Sequence, residues 1–244
     1  MTEFDYQWKE TVRKEFLVKH PDQYECNDKR VKEFLKLCPG LKPWYKKDSF
    51  AKDKICLDAG CGPGRWTCAL QRLGAKKVDS FDISSEAIKI CQKINPNAYV
   101  FDVMELKLNP VYDFVVSWGI LHHIQYPRKA FSKVASQVKK GGMLYVMIYD
   151  KQNDWFYDGF RGETCVEKHK YWESLGLEEK LKLCEEKSKT RGGEVHGWWD
   201  ALNPTYNFSY TPDEIKQWFI EEGFTDIKWG KNRTYNVNMS GIKK

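Results

Sequence analysis

Apolar residues come in short runs set between segments of helical period. "KICLD" (Lys54–Asp58) is a brief apolar run ending in an acid, and a helix follows from about Arg65 to Leu73. "KVDSFD" (Lys77–Asp82) reads as a second strand, with Ser84 and Ser85 able to cap a helix through Ile94. "AYVFD" (Ala98–Asp102) and "YDFVVSW" (Tyr112–Trp118) are the third and fourth strands. Pro127 opens a helix with Phe131, Val134, Ala135 and Val138 on one face; Gly141-Gly142 ends it, and Met143–Tyr149 is the fifth strand. Near-continuous apolar strands alternating with helices predict a mostly parallel sheet covered on both faces. The alternation breaks at Asp150. The next sixty residues, to about Tyr210, are polar and aromatic, with a helix near Leu177–Lys187. It returns at Thr211-Pro212-Asp213-Glu214, a capping box with proline at the first helical position, and Gly223 ends that helix. "TDIKWG" and "TYNVNMSGI" close the chain as two strands of an antiparallel hairpin. Helices around Tyr6–Val18 and Lys29–Leu37 precede the first strand, joined to it by a lysine-rich connector. The expected division is an N-terminal helical cap (1–53), an α/β core (54–150 and 211–244) and a lid inserted after the fifth strand (151–210).

Bulk properties change this picture little. The chain has 244 residues, is 41% apolar and carries a formal charge of +6, with acidic residues in every segment. There is no basic stripe to indicate nucleic acid and no apolar run long enough for a membrane span, so the expectation is a cytoplasmic protein. Oligomeric state is unreadable. The eight cysteines form no Cys-x-x-Cys pair and the five histidines are not at ligand spacing from them, so reduced structural thiols and no metal are expected.

The strongest chemical signal is "LDAGCGPGRW" (Leu57–Trp66), between a strand and a helix. Gly60, Gly62 and Gly64 let the backbone turn sharply and approach a ligand, with Cys61 between them. The spacing is G-x-G-x-G, where dinucleotide folds carry G-x-G-x-x-G, and Asp58 two residues before the first glycine would repel a pyrophosphate. It suits a cationic amino group instead. Asp82, followed by Ile83, ends the second strand, where a carboxylate can accept two ribose hydroxyls. Asp102 ends the third, in reach of an adenine amino group. Ligands of open α/β sheets bind outside the carboxyl ends of the strands, so three acids at successive strand ends face one crevice.

"ICLDAGCGPGRW", "KVDSFDISSEAI", "NAYVFDVMEL" and "YDFVVSWGILHHI" resemble, in order and spacing, the motifs of class I S-adenosylmethionine-dependent methyltransferases. The resemblance covers roughly Lys54–Tyr149. It implies a Rossmann-like seven-stranded sheet with an antiparallel C-terminal hairpin and S-adenosylmethionine as cofactor. By that resemblance Asp58 and the glycine loop hold the methionine part, Asp82 the ribose, and Asp102 and Val103 the adenine, with Trp118 after the fourth strand. "YQW" near the start and "NVNMSGIK" near the end resemble methyltransferases of small molecules more loosely. Tyr6 and Trp8 are candidates for a flap over the cofactor.

Methyl transfer asks mainly for orientation and a dry pocket, and for a base where the nucleophile carries a proton. His122 and His123, just past the fourth strand, are the candidates, with His123 preferred. Trp199 and Tyr206 of the insertion are candidate acceptor contacts, among Trp155, Phe156, Tyr157 and Trp198; a small satellite core is the competing reading of these aromatics. Arg161, Arg191 and Arg233 could meet an anionic acceptor, although each alone reads as a surface charge. The reading is an O-, N- or C-methyltransferase of a small molecule. The alternatives are an RNA or tRNA methyltransferase, disfavoured by "SWGILHH" where nucleic-acid amine methylases carry Asn/Asp-Pro-Pro-Tyr/Phe, and a non-catalytic cofactor-binding protein. A nicotinamide oxidoreductase is opposed by the glycine spacing and by Asp58.

Overall fold

The computed structural model describes residues 2–5, 8–9, 26–41, 50–107, 111–151, 165–192, 195–230 and 236–244. The expected helix at Tyr6–Val18 apart from Trp8 and Lys9, most of the lysine-rich connector, and Trp155, Phe156, Tyr157, Arg161 and Arg233 lie outside them.

Seven strands form one sheet in the order β3-β2-β1-β4-β5-β7-β6. They are β1 (Ile55–Ala59), β2 (Lys77–Asp82), β3 (Ala98–Val100), β4 (Tyr112–Trp118), β5 (Val138–Tyr149), β6 (Phe224–Gly230) and β7 (Asn236–Lys243). The first five pair in parallel, whereas β7 runs antiparallel to both β5 and β6. The helices are α1 (Asp28–Leu37), α2 (Arg65–Arg72), α3 (Ser85–Cys91), α4 (Pro127–Ala135), α5 (Cys165–Ser174), α6 (Leu177–Arg191), α7 (Val195–Leu202) and α8 (Pro212–Glu221). The Rossmann-like sheet with its C-terminal hairpin is therefore as expected.

Side chains of period two divide the core into two layers. Leu57, Val115, Leu144, Val146 and Ile148 face one side, against Phe131 and Val134 of α4 and Ile215 and Phe219 of α8. Cys56, Phe114, Val116 and Tyr145 face the other, against Trp66 and Leu70 of α2. Phe34 and Leu35 of α1 are buried in that second layer, so this N-terminal helix is part of the core wall.

Several boundaries differ from the sequence pattern. Helix α3 stops at Cys91 rather than Ile94, and β3 stops at Val100, so that Asp102 caps a single 3-10 turn, Val103–Glu105. Helix α4 ends at Ala135, and β5 already includes Val138. Gly141 and Gly142 lie inside that strand, where the register to β4 slips between Tyr112 and Phe114. Gly141 has φ +77°, and a Cβ on Gly142 would stand 2.9 Å from the Tyr112 carbonyl oxygen. The glycines mark an irregular strand, a use that Gly-Gly shares with helix ends in sequence.

The insertion has a narrow neck. Asp150 and Tyr210 form a parallel bridge; Tyr210 N donates to the Tyr149 carbonyl (2.9 Å) and Lys151 N to the Tyr210 carbonyl (3.1 Å). Beyond it α5, α6 and α7 enclose a separate small core of Trp172, Cys184, Trp198, Trp199 and Leu202.

Cys26 and Cys68 are joined in a disulfide, their Cα atoms 5.5 Å apart, which corrects the expectation that every thiol is reduced. The partners are 42 residues apart and meet because α1 packs on α2, which no cysteine spacing could announce. Cys38, Cys56, Cys61, Cys91 and Cys184 are buried thiols. Among the described residues no helix is long and apolar enough to cross a membrane, and no cluster of His, Cys, Asp and Glu could hold a metal ion.

Candidate functional site

A cavity of about 730 Å³ opens where β1 to β5 end. Its floor is the glycine loop. Gly60, Gly62 and Gly64 have φ values of +82°, +51° and +96°, in the left-handed region that favours glycine. A Cβ on Gly60 would come within 2.5 Å of Ile120. The loop is tied to β2: Gly60 N and Cys61 N donate to the Phe81 carbonyl at 2.8 and 2.9 Å.

Asp82 holds the same loop through its side chain. One carboxylate oxygen accepts from Gly62 N (2.8 Å) and the other from Ser84 N (2.9 Å). Burial raises its pKa, and these amide bonds pull it back. Each oxygen keeps lone-pair capacity, so a carboxylate locked in place can still accept from a ligand's hydroxyls. Asp102 lines the cavity while one of its oxygens accepts from Met104 N (2.8 Å). Cys61, Ile83, Val103 and Trp118 also contribute wall. Trp8 closes over the loop, its ring 3.6 Å from where a Gly62 Cβ would stand.

Asp58 lies behind this wall. It is fully buried, with Oδ2 accepting from Thr67 Oγ1 (2.7 Å) and Oδ1 left with no hydrogen-bond partner. Desolvation pushes its carboxyl up to about 7, against the Thr67 bonds that lower it. A buried acceptor without a donor is costly. Its chemistry asks for a cationic or N–H partner. Gly64 does not face the cavity. It opens α2, and its Cα is packed against Ile94 and Cys91.

Past β4 the cavity continues along Trp118, His123, Tyr149, Asn236, Asp200 and Tyr206. His123 is 5% exposed, and its Nδ1 lies 3.1 Å from the Tyr206 carbonyl. A carbonyl only accepts, so Nδ1 carries the proton and Nε2 is the basic atom of the neutral ring. His122 does not line the cavity; it is fully buried, edge-on to His123 and stacked 3.7 Å from the Tyr149 ring. Trp199 packs edge-on to Trp172, 5.3 Å between centroids, inside the insertion's own core and away from the cavity. Arg191 is exposed at the end of α6.

Sequence reasoning missed Glu3, Phe4, Phe101, Tyr149, Asp200 and Asn236, all of which line the cavity. Phe101 had a signal, being an aromatic directly before Asp102, the acid that follows β3. Asp200 sits beside two tryptophans that drew attention away from it. Glu3 and Asn236 carry no local mark.

A methyltransferase domain model matches residues 28–228, a span that includes the glycine loop, Asp58, Asp82 and His123. The chain belongs to that methyltransferase family. The methyltransferase is 28% identical over 153 residues to the mitochondrial ubiquinone biosynthesis O-methyltransferase of Dictyostelium discoideum, covering 52% of this chain and 46% of that protein. It is 28% identical over 134 residues to the tRNA U34 carboxymethyltransferase of Campylobacter fetus, with the same 52% and 46% coverage. The chain thus spans about half the length of these curated relatives. Among solved structures it resembles the magnesium protoporphyrin IX methyltransferase of Synechocystis with bound SAM, with TM-score 0.55 at 15% identity, over 99% of this chain and 90% of that one. A SAM-dependent methyltransferase from Thermotoga maritima gives TM-score 0.57 at 16% identity, over 99% of both chains. The expected class I family, the fold and S-adenosylmethionine as cofactor are borne out.

Proposed function

We propose that the methyltransferase acts on a small-molecule acceptor held in the half of the cavity beyond Trp118. One observation carries this: a single cavity runs from the glycine loop and Asp82 to His123 and Tyr206, and is roofed by Trp8 and the insertion. Its volume lies within the range of small-molecule sites, roughly 300–1,000 Å³. A polynucleotide would need an open, cationic groove. Arg65 is the one arginine or lysine among the described lining residues; it is paired with Glu33 and lies over the Trp66 ring at 4.6 Å.

S-adenosylmethionine, when bound, supplies a methyl group on a sulfonium that is already activated for in-line displacement. Asp82 is the acceptor for the ribose hydroxyls and Asp102, with Val103, flanks the base. Asp58, through Oδ1, faces the amino group. His123 takes the proton that an O–H, N–H or C–H acceptor must lose, at Nε2. Tyr206 and Asp200 line the acceptor's side. Arg161 and Arg233 remain candidates for an acidic acceptor.

The test is S-adenosylhomocysteine formation against a panel of phenols, amines, carboxylates and bulk tRNA. Turnover with a small molecule, absent for tRNA, supports the reading. Turnover with tRNA alone, with salt-sensitive binding, replaces it with the tRNA reading that the Campylobacter fetus relative represents.

A further inference from the structure

The first described residues of the chain join the two halves of the cavity wall. Asp5 is buried, accepting from Ser84 Oγ (2.8 Å) at the start of α3 and from Thr2 N (2.6 Å). Two residues earlier, Glu3 reaches the insertion. Its Oε2 accepts from Thr205 N (2.8 Å) and Thr205 Oγ1 (2.6 Å), and its main-chain carbonyl accepts from Asn203 Nδ2 (2.6 Å). Thr205 Oγ1 also lies 3.3 Å from His169 Nε2.

The residue after Thr205 is Tyr206, whose carbonyl receives Nδ1–H of His123. Two residues further on, Phe208 N donates to the His122 carbonyl (2.9 Å). The stretch from Asn203 to Phe208 is therefore pinned on one side by Glu3 and on the other by the histidine pair. The carbonyl that sets the His123 proton lies between the two pins. Bonds to a carboxylate are the stronger kind, and here two converge on one oxygen from adjacent donors of a single residue.

We propose that Glu3 is a positioning residue for methyl transfer. Through Thr205 it holds the Tyr206 carbonyl against His123, which keeps the ring proton on Nδ1 and the basic lone pair on Nε2. The inference rests on His123 being the base. With the carbonyl displaced, the neutral ring can carry its proton on either nitrogen. The share of molecules with a basic Nε2 then falls, while Asp82 and the glycine loop, tied to β2, stay as they are.

The test begins without any acceptor. In 15N-labelled protein at pH 8, long-range 1H–15N imidazole spectra assigned with His123→Asn report the His123 tautomer. The expected wild-type pattern is Nδ1–H. Glu3→Ala should move it towards an average of the two tautomers, whereas Glu3→Gln, whose side-chain carbonyl still accepts from Thr205, should retain it. Thr205→Val removes the hydroxyl's contacts with Glu3 and His169 but keeps the main-chain bond to Glu3, and should give a smaller movement in the same direction. It serves as the readout if Glu3→Ala does not fold. An unchanged tautomer in both Glu3→Ala and Thr205→Val overturns the proposal. With a productive acceptor, Glu3→Ala should lower kcat about tenfold, with KM for S-adenosylmethionine within twofold of wild type. That loss should vanish in the His123→Asn background, and losses that multiply overturn the proposal. Full turnover by His123→Asn removes the base reading, and the inference with it. The tautomer spectra cannot produce that result, so the two failures are distinct.

Discussion

Asp58 concentrates the electrostatics of the site in one side chain. Its carboxyl is raised from 3.8 to about 7 because desolvation disfavours the charged form. The folded protein therefore binds more protons at this position than the unfolded chain between those two values. Its contribution to stability is fully present below about pH 4 and is lost as pH rises through 7. An ammonium group placed against Oδ1 reverses the preference and favours the carboxylate. S-adenosylmethionine affinity should then increase from pH 6 to pH 8, and binding near pH 7 should release a proton, seen by calorimetry in buffers of different ionisation enthalpy. Binding with no net proton release would remove Asp58 from the amino-group site. Asp82 is a separate case, since its two oxygens already carry the glycine loop and Ser84. Asp82→Ala should weaken S-adenosylmethionine binding by about 1–3 kcal/mol, the cost of a lost charge-assisted hydrogen bond. Unchanged affinity in a calorimetric titration would refute the ribose assignment.

Among the elements, the loop between β1 and α2 leaves little room for substitution. Gly60 combines φ +82° with Ile120 side-chain carbons standing where a Cβ would go, the nearest at 2.5 Å. Gly60→Ala should cost about 1–3 kcal/mol of stability from backbone strain alone. It should also push Ile120 into the cavity, so thermal unfolding and cofactor affinity should fall together. This loop was legible in the sequence because three alternate glycines between an apolar run and a helix suit a sharp turn at a ligand and little else. The same holds for Asp82 and Asp102, which are acids ending apolar runs. The β5 boundary was not legible, because Gly141-Gly142 serves equally to stop a helix or to kink a strand, and only the pairing with β4 decides. Nor could a sequence separate His122 from His123. The two rings stand edge to face, 4.1 Å between centroids, and Tyr149 had to be placed before His122 could be seen stacked on it and His123 lining the cavity.

At the scale of the whole molecule, the parts that complete the cavity come from far apart in the chain. Glu3 meets Thr205 and His123 meets Tyr206 through contacts 202 and 83 residues apart in sequence, which no local pattern encodes. The Cys26–Cys68 bond is another such contact. It fixes the approach to α1 against the helix that leaves the glycine loop. Reduction, or Cys26→Ala, should lower stability by about 2–4 kcal/mol, as expected for a loop of this length. Denaturant unfolding with and without dithiothreitol measures it. A midpoint indifferent to reductant would mean that the two sulfurs are not joined in solution.

The neck at Asp150 and Tyr210 makes the insertion a detachable cartridge. Both of its ends leave the sheet at one spot, and Trp172, Trp198 and Trp199 lie in its own interior, so a different cartridge fitted there should leave the glycine loop and Asp82 in place. A chimaera cut at this seam should therefore retain S-adenosylmethionine binding, which a calorimetric titration checks.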